Sequence, residues 1–405
     1  MSGEGLHVLL VPSWYPTAEN PLVGHFFQEQ ARALVGLGAR VGVVYPEWRS
    51  WLTASLGAWR RHHFQVTREL DEGVWVYRLH GWNLAPGFPR LRARLWSEAV
   101  CRLVARYIRE QGRPDVLHAH ALLWGGVAAR RAAARHGIPF VVTEHASQVL
   151  TGAVPQWARM QVEAVLRDAE RVIAVSRALA RELERLAPER PVDVIPNMVD
   201  DGRFTLPPGG RPASPVRFLT VAHLTPIKGI DVLLRAFAQV YRGTAVELHV
   251  GGDGPQRTEL ERLAEELGVA GQVRFLGALP REAVREAMWQ AHAFVLPSHA
   301  ETFGVVLIEA MATGLPVIAT RCGGPEDIVD ERWGFLVKPG DVAALAAALR
   351  EMGRRVPFSP AEEKALREAA IRRFGQWAVG MRLMDVYAAC KARPKRETGE
   401  RNGTA

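Results

Sequence analysis

Two glutamates, Glu301 and Glu309, stand eight positions apart where a strand pattern gives way to a helix pattern. The apolar run 293–296 predicts a short buried strand that ends at Pro297, and residues 305–312 have the pattern of a helix. We therefore expect Glu301 in the loop at the carboxyl end of the strand. Glu309 is expected a little over one turn into the helix.

The backbone between the two glutamates predicts an anion site. The residues at the start of the helix, whose amides have no partner within it, are Thr302, Phe303, Gly304 and Val305. Free N–H groups and the positive end of the helix dipole suit a phosphate or a sugar hydroxyl. The alternative is an ordinary strand-to-helix loop with two solvated acids.

Two further stretches could contact an anionic ligand. Lys228 follows a strand pattern and precedes a helix pattern, which predicts a cation at a helix amino end. Gly252 belongs to Gly251-Gly-Asp-Gly-Pro255, a glycine turn at another strand end, where missing side chains would let a ligand approach the backbone. Each signal is weak alone, because such a turn is more often only a turn.

Strand and helix patterns alternate along most of the chain. The strand signals fall at 6–11, 41–45, 74–79, 116–118, 140–143, 172–175 and 192–195, then at 217–221, 246–250, 273–276, 293–296, 317–319 and 334–337. This alternation predicts two α/β domains, each a doubly wound parallel sheet with helices on both faces. Loops that carry chemistry in such sheets follow the carboxyl ends of strands. On that rim of the first sheet we expect Gly24, His120, His145 and Ser176.

Composition shifts divide the chain into domains. Residues 197–215 are rich in proline and glycine and lack an apolar period, which is typical of a linker. The predicted organisation is a Rossmann-like domain over 1–196, the linker, a second Rossmann-like domain over 216–373, a helix over 374–390 that returns to the first domain, and a polar tail over 391–405. Two such sheets facing each other leave a cleft, a common place for ligands.

With 405 residues, of which 48% are hydrophobic, the chain can bury a large core. Cys101, Cys322 and Cys390 lie far apart without ligand or redox spacing, so neither a disulfide framework nor a zinc site is predicted, and a reducing cytoplasm fits. The apolar run 6–11 is too short for a signal or membrane segment. A net charge of +8 favours an anionic partner, which could be nucleic acid, a membrane surface or an acidic substrate.

A basic amphipathic helix is predicted at 94–109. An arc of about 120° on this helix holds the arginines Arg94, Arg102, Arg106 and Arg109. An apolar and basic insertion before the third strand holds the tryptophans Trp48, Trp51 and Trp59. Either the arginines are the solvated face of a helix packed on the core, or they and the tryptophans dock the protein on anionic lipid.

Metal chemistry is not predicted. His118 and His120 share one strand end, but no carboxylate or cysteine stands at ligand spacing from them. The sequence also contains no Asp-x-Asp, a common motif for holding a metal-bound diphosphate.

Taken together and in this order, these stretches resemble the retaining glycosyltransferases of family 4, which have the two-domain GT-B fold. The resemblance covers nearly the whole chain. Its marks, beside the glutamate pair and Gly24, are Lys228-Gly229, Gly251-Gly-Asp-Gly-Pro255, Ile195-Pro-Asn197, Gly314-Leu-Pro-Val-Ile-Ala-Thr-Arg-Cys-Gly-Gly324, Gly334-Phe-Leu-Val-Lys-Pro-Gly340 and Val142-Thr-Glu-His145. The opening Ser13-Trp-Tyr-Pro16 is similar to the branch that builds cell-envelope or exported polysaccharides.

The resemblance implies a hexosyltransferase with a nucleotide-diphosphate-sugar donor bound by the second domain and a glycan or lipid-linked acceptor bound by the first. It also implies transfer with retention through front-face attack. Glu309 would hold the ribose hydroxyls of the donor, Glu301 would contact the donor sugar, and His145 would position the sugar and the acceptor. The residues expected around the rest of the donor are Gly24, His223, Lys228, Gly252, Phe303, Gly304 and Val305. Lys228, which would stabilise charge on the departing diphosphate, is expected to be catalytic together with His145 and Glu301.

No metal and no other cofactor is expected. Lys228 and two helix amino ends supply about two positive charges around the diphosphate, comparable with one magnesium ion. The expected location is the cytoplasm, with peripheral association with an anionic membrane on the inner face of the plasma membrane as an open possibility. Nucleic acid is not an expected partner.

The chain also departs from the family pattern. His223 stands where the family often has an arginine beside the diphosphate, and Met198 stands where a glycine often follows Ile195-Pro-Asn197. The alternatives are a sugar-nucleotide epimerase of the same fold and a non-catalytic subunit that binds a sugar nucleotide or lipid. The joint presence of His145, Lys228, Glu301 and Glu309 argues against the non-catalytic subunit.

Overall fold

The computed structural model describes residues 5–50 and 55–392, whose strands form two sheets. The first sheet contains β1 (His7–Pro12), β2 (Arg40–Arg49), β3 (Val66–Asp71), β4 (Val74–Trp82), β5 (Val116–His120), β6 (Phe140–Glu144), β7 (Arg171–Ala174) and β8 (Val192–Val194). Its strand order is β3-β4-β2-β1-β5-β6-β7-β8, and all neighbours except β3 and β4 pair in parallel. The central strands β1, β5 and β6 are buried along their whole length, as expected where helices cover both faces.

Strand β3 and the short helix α2 (Leu56–Arg61) are missing from the sequence-based prediction. β3 pairs antiparallel with β4 at the edge of the sheet, and four of its six residues are exposed. Because the strand Val-Thr-Arg-Glu-Leu-Asp is mostly polar and exposed, it lacks the apolar pattern that marks the other strands. Charged residues on such an edge also oppose pairing with another chain.

The second sheet is parallel throughout. It contains β9 (Arg217–Val221), β10 (Glu247–Gly251), β11 (Val273–Gly277), β12 (Ala293–Leu296), β13 (Val317–Thr320) and β14 (Gly334–Val337). Its order is β11-β10-β9-β12-β13-β14. The predicted architecture of two doubly wound α/β sheets is therefore confirmed.

Helices cover both sheets. They are α1 (His25–Gly36), α2, α3 (Pro89–Gln111), α4 (Val127–His136), α5 (Ser147–Leu150), α6 (Gln156–Asp168), α7 (Arg177–Leu186), α8 (Ile230–Tyr241), α9 (Arg257–Glu266), α10 (Arg281–Gln290), α11 (Val305–Ala312), α12 (Val342–Arg355), α13 (Pro360–Phe374) and α14 (Gln376–Ala392). The bounds of α11 are those predicted. None of the helices within the described ranges is both long enough and apolar enough to cross a bilayer.

Strand order reverses direction between β1 and β5 in the first sheet and between β9 and β12 in the second. At such a switch point the chain leaves neighbouring strands toward opposite faces, so a crevice opens beyond their carboxyl ends. The loops that bound these two crevices carry Trp14, Lys228 and Glu301.

The proline-rich segment 197–215 is anchored on the second domain through Arg211. The Arg211 side chain is 4% exposed, forms an ion pair with Glu363 at 2.7 Å, and donates to the carbonyls of Met288 and Ala291. At the other end of the chain, α14 contacts the first domain, because the Tyr387 hydroxyl lies 2.7 Å from Nδ1 of His118. Most of the predicted polar tail lies outside the described residues.

Helix α3 has the two faces that the sequence predicts. Val100, Leu103, Val104 and Tyr107 are buried, whereas Arg94, Arg102 and Arg109 are exposed. Arg106 forms an ion pair with Glu110 at 2.7 Å. Among the three tryptophans of the predicted insertion, Trp51 lies outside the described residues. Trp59 is 41% exposed and stacks on Trp82 with ring centroids 4.7 Å apart.

Candidate active site

A cavity of about 540 Å³ lies between the carboxyl edges of the two sheets. The first domain lines it with the loops after β1, β5 and β6, and the second domain with the loops after β9 and β12. His145, Lys228 and Glu301, the three residues predicted to be catalytic, line this cavity together. The fold thus brings residues from both domains to one concave surface.

Lys228 and Glu301 form an ion pair on the second-domain side of the cavity. Nζ of Lys228 donates to Oε2 of Glu301 at 2.6 Å, and the two side chains are 24% and 15% exposed. Backbone contacts hold the two loops against each other, because the His299 N–H donates to the carbonyl of Ile227 at 2.7 Å. A side chain at Gly229 would lie only 2.3 Å from the carbonyl oxygen of Pro297, so this approach requires glycine.

The amino end of α11 is open, as predicted for residues 302–305. Gly304 precedes the helix with a φ of +98°, and among the described residues no side chain caps it. Phe303 is buried and packs on Phe374, with ring centroids 5.9 Å apart. The Phe303 ring is therefore used in packing, and Phe303, Gly304 and Val305 are not among the described residues that line the cavity.

The second predicted helix end, that of α8 after Lys228, is different. Asp231 lies in the first turn of α8, where a carboxylate offsets part of the positive dipole end. The two helix ends predicted to supply positive charge are therefore not equivalent, because α8 has a carboxylate in its first turn and α11 has none.

Three histidines at the ends of β5 and β6 form a buried cluster, of which His145 also lines the cavity. The rings of His118 and His120 have centroids 4.2 Å apart, and Nδ1 of His120 lies 3.2 Å from Nε2 of His145. His118 uses both ring nitrogens in hydrogen-bond contacts, to the hydroxyls of Tyr387 at 2.7 Å and Thr143 at 2.8 Å. These contacts account for His118 without a metal.

Burial keeps these histidines neutral. Desolvation lowers the pKa of His118 to about 3 and that of His145 to about 3, and it holds the pKa of His120 well below its usual value. His145 therefore reaches the cavity as a neutral imidazole that can both donate and accept a hydrogen bond.

Glu144, the residue before His145, shapes the cavity wall and was not singled out in the sequence. Its buried carboxylate accepts N–H bonds from Leu122 at 2.8 Å, from His145 at 2.7 Å and from Ala146 at 2.5 Å. Desolvation raises its pKa, whereas the three amides oppose that shift. A carboxylate held this way ties the loop after β6 to the loop after β5.

Ser13 is a second wall residue with a structural role that sequence reasoning missed. Its Oγ lies 2.7 Å from the carbonyls of both His120 and Leu123 and accepts the Gly125 N–H at 2.9 Å. Ser13 and Trp14 stood out in the sequence only as part of a family motif. The signal that could have identified them is their position directly after the central strand β1.

Glu309 lies apart from the three predicted residues that line the cavity, His145, Lys228 and Glu301. It is 3% exposed, and it is not among the described residues that line the cavity. Its Oε1 accepts a hydrogen bond from Nη1 of Arg281 at 2.5 Å. Sequence reasoning missed Arg281, because the first residue of α10 gives no signal of its own.

Gly24 and Gly252 have positive φ angles, +74° and +116°. A Cβ atom at Gly24 would lie 2.8 Å from the carbonyl oxygen of Trp14, and one at Gly252 would lie 1.8 Å from that of Ala222. The packing of the turns themselves therefore requires glycine at both positions, and a donor contact at Gly24 and Gly252 stays a prediction. The space that a side chain would need is filled by neighbouring backbone.

His223, the residue in place of the family arginine, is exposed after β9. Its Nδ1 lies 2.7 Å from the carbonyl oxygen of Asp253, in the glycine turn after β10. The side chain thus links the two loops in which Lys228 and Gly252 stand.

Two family models match the chain. The model for glycosyl transferases group 1 matches residues 206–370, and that for Glycosyltransferase Family 4 matches residues 23–203. A D-inositol 3-phosphate glycosyltransferase of Acidothermus cellulolyticus is 35% identical over 321 residues, which cover 71% of each chain. A glycogen synthase of Mycobacterium tuberculosis is 29% identical over 322 residues, which cover 76% of each chain.

Solved structures share the fold. Sucrose-phosphate synthase from Thermosynechococcus elongatus is 22% identical, with a TM-score of 0.74 over 95% of this chain and 98% of that one. Anabaena HepE in complex with UDP is 21% identical, with a TM-score of 0.68 over 95% of this chain and 100% of that one. The architecture of two facing doubly wound sheets is the GT-B fold.

The buried histidines predict that stability falls in acid. Their pKa values in the folded protein lie below the unfolded value of 6.5, so the unfolded chain binds more protons between about pH 6.5 and 3. The contribution of these neutral histidines to the free energy of unfolding is fully present above about pH 6.5. It decreases as the pH falls from 6.5 toward 3, by roughly 1.4 kcal/mol per pH unit for each such histidine. Urea unfolding at pH 7.5, 6.5 and 5.5 measures this slope.

His118→Asn should reduce the slope by about one histidine's share, because it removes a buried imidazole that binds a proton in this pH range only in the unfolded chain. Equal slopes for the wild-type protein and His118→Asn would contradict the assignment of a neutral buried imidazole.

Proposed function

The chain belongs to the glycosyltransferases of group 1 and family 4, and on that premise we propose that it is a retaining hexosyltransferase. It moves a sugar from a nucleotide-diphosphate-sugar to a hydroxyl of a glycan or lipid-linked acceptor. The observation that carries this proposal is the single cavity in which His145 of one domain faces Lys228 and Glu301 of the other.

The cavity supplies what the departing diphosphate needs. As the bond between the sugar and the phosphate oxygen breaks, negative charge grows on the diphosphate, and preorganised cations and amides stabilise it. Lys228 and the open end of α11 are the groups of that kind beside Glu301. When the diphosphate binds, it becomes a second partner for the Lys228 ammonium, and Glu301 is then available to the sugar hydroxyls.

Transfer with retention needs the acceptor hydroxyl on the face that the diphosphate leaves. The acceptor oxygen bonds to the anomeric carbon, the bond from that carbon to the phosphate oxygen breaks, and the acceptor proton passes to the departing phosphate oxygen. His145, being neutral, positions sugar and acceptor hydroxyls by hydrogen bonds instead of carrying the proton itself. This assignment matches its place on the first-domain wall of the cavity.

Because Glu309 belongs to the second domain and His145 to the first, their variants should affect different steps. Glu309→Ala removes the carboxylate proposed to hold the donor ribose, so the donor dissociation constant should rise about ten- to a hundredfold, the loss expected for a charged hydrogen-bond partner. His145→Ala should lower turnover while the donor dissociation constant stays within about twofold. Calorimetric titration with a panel of UDP, GDP and ADP sugars, followed by kinetics with the donor that binds, measures both quantities.

Glu368→Ala, an exposed glutamate on α13, is the control for loss of a carboxylate. Normal turnover in His145→Ala would contradict the location of the active site. If the protein neither hydrolyses any donor in the panel nor transfers its sugar, the non-catalytic alternative is the one that stands.

We further propose that transfer needs no divalent metal. A metal that bridges two phosphates is held by carboxylates. Among the described residues that line the cavity, the carboxylates are Glu144, which accepts three backbone N–H bonds, and Glu301, which is assigned to the sugar hydroxyls once the diphosphate binds Lys228. Lys228 and the α11 amides then carry the charge compensation.

The initial rate in excess chelator should therefore stay within about twofold of the rate with added magnesium or manganese. A rate that collapses in chelator and returns with metal would contradict this charge assignment. A single-turnover measurement separates an effect on the transfer step from an effect on product release.

The acceptor side carries an exposed apolar surface, defined as the segment before α3 and its first two turns. Leu84, Phe88 and Leu91 are 62%, 68% and 47% exposed, and Arg90 and Arg94 are exposed beside them. Apolar side chains flanked by arginines complement the acyl chains and headgroups of an anionic bilayer. We propose that this surface docks the enzyme on the inner face of the plasma membrane, where a lipid-linked acceptor for envelope or exported polysaccharide would lie.

Cosedimentation with anionic vesicles should fall steeply between low and physiological salt, since each surface cation contributes on the order of 1 kcal/mol that salt screens. Phe88→Ser should weaken the binding, whereas Met160→Ser, at a position on α6 that is 81% exposed, is the matched control. Equal binding to neutral and anionic vesicles would contradict docking on anionic lipid and would mean that the arginines of α3 are only its solvated face.

A further inference from the structure

The guanidinium of Arg281 joins the two domains. Its Nη2 donates to Oε1 of Glu29 on α1 at 2.7 Å, and its Nη1 donates to Oε1 of Glu309 on α11 at 2.5 Å. The side chains of Arg281, Glu29 and Glu309 are 12%, 7% and 4% exposed. A first-domain helix is thus linked by one residue to the carboxylate proposed to hold the donor ribose.

The segment 197–215 that connects the domains also contacts the guanidinium of Arg281. The ring of Phe204 lies under the guanidinium of Arg281, with 4.8 Å from Cζ to the ring centroid. Arg203 places Nη1 3.6 Å from Oε1 of Glu29. The first domain, the connecting segment and the second domain therefore converge on Arg281.

The two carboxylates depend on Arg281 for their charge balance. Burial raises the pKa of Glu29, and the Arg281 cation opposes that shift. Removing one member of a buried charged group leaves the others without compensation, which costs more than breaking an exposed pair. The orientation of Arg281 is consequently set by both carboxylates at once.

We propose that Arg281 is a positioning residue that orients Glu309 for the donor ribose and, through Glu29, makes donor affinity depend on how the two domains sit against each other. This inference rests on the proposed function, because it takes Glu309 as a donor contact. With Glu29 in place, both arms of the guanidinium are fixed and the Glu309 carboxylate is held in one orientation. Without Glu29, Arg281 has one anchor, and part of that preorganisation is lost.

The consequence is that a residue of the first domain affects binding to the second. Glu29→Gln, which keeps the size of the side chain and removes its charge, should raise the dissociation constant of the nucleoside diphosphate about three- to tenfold. Arg281→Met should raise it by about a hundredfold, and Arg281→Lys should recover part of the loss. The probe is whichever of UDP, GDP and ADP binds the wild-type protein, measured by calorimetric titration.

A double-mutant comparison separates positioning from a general loss of stability. In a Glu309→Gln background, Glu29→Gln should have little further effect, because its influence passes through the Glu309 carboxylate. Lys391→Gln, which breaks the partly exposed ion pair between α14 and Asp115, is the control and should bind the probe as the wild-type protein does.

Two results would overturn the inference in distinguishable ways. If the wild-type protein binds a nucleoside diphosphate and Glu29→Gln binds it equally well, the coupling through Arg281 is absent while the proposed function stands. Additive effects of Glu29→Gln and Glu309→Gln have the same meaning. If none of the three diphosphates binds the wild-type protein, the proposed function fails and this inference fails with it.

Discussion

The structure depends on one constraint of parallel sheets: after each strand, the connection must bring the chain back to the edge at which the next strand begins. All loops that follow strands therefore gather at the carboxyl edge, and the reversal of strand order opens a crevice there. This protein meets the constraint twice, with β1 beside β5 and β9 beside β12. Because the two crevices face each other, short loops far apart in the chain form one cavity.

Within that cavity, backbone contacts set the positions of the charged groups. Gly229 lets the loop after β9 approach Pro297 in the loop after β12, and Lys228 consequently lies within hydrogen-bond distance of Glu301. The first-domain wall is built in a comparable way, since Glu144 and Ser13 bind backbone groups of the loop after β5. The rigid positions of these residues reduce the reorganisation needed when charge develops on a substrate.

Charge is handled differently in the two domains. The first domain contributes neutral histidines, of which His145 lines the cavity, and burial lowers their pKa values. The second domain pairs its charges, with Lys228 against Glu301 in the cavity and Arg281 against Glu309 outside its lining. A neutral hydrogen-bonding group on one side of the cavity thus accompanies an ion pair on the other.

Much of the fold follows from local patterns in the sequence. Strands of a parallel sheet are buried on both faces and are therefore nearly continuous apolar runs, which is why the sequence indicates every strand except β3. The helical pattern at 305–312 indicates α11. Strand β3 escapes this reasoning because its mostly polar, exposed residues follow no apolar period. Loop position after a strand placed His145, Lys228 and Glu301 among the candidates, and the family resemblance selected them from the others. The structure brings all three to one cavity.

The tertiary structure alone decided the partners of these residues. Hydrogen-bond and ion-pair partners distant in sequence leave no local pattern, so the Lys228–Glu301 pair, the cluster of His118, His120 and His145, and the contact of Arg281 with Glu29 appear only when the loops and domains are packed. The same holds for Gly252, whose missing side chain is required by the backbone of Ala222. Sequence determines which groups stand at the ends of strands, whereas the packing of two sheets decides which of those groups share charge and space.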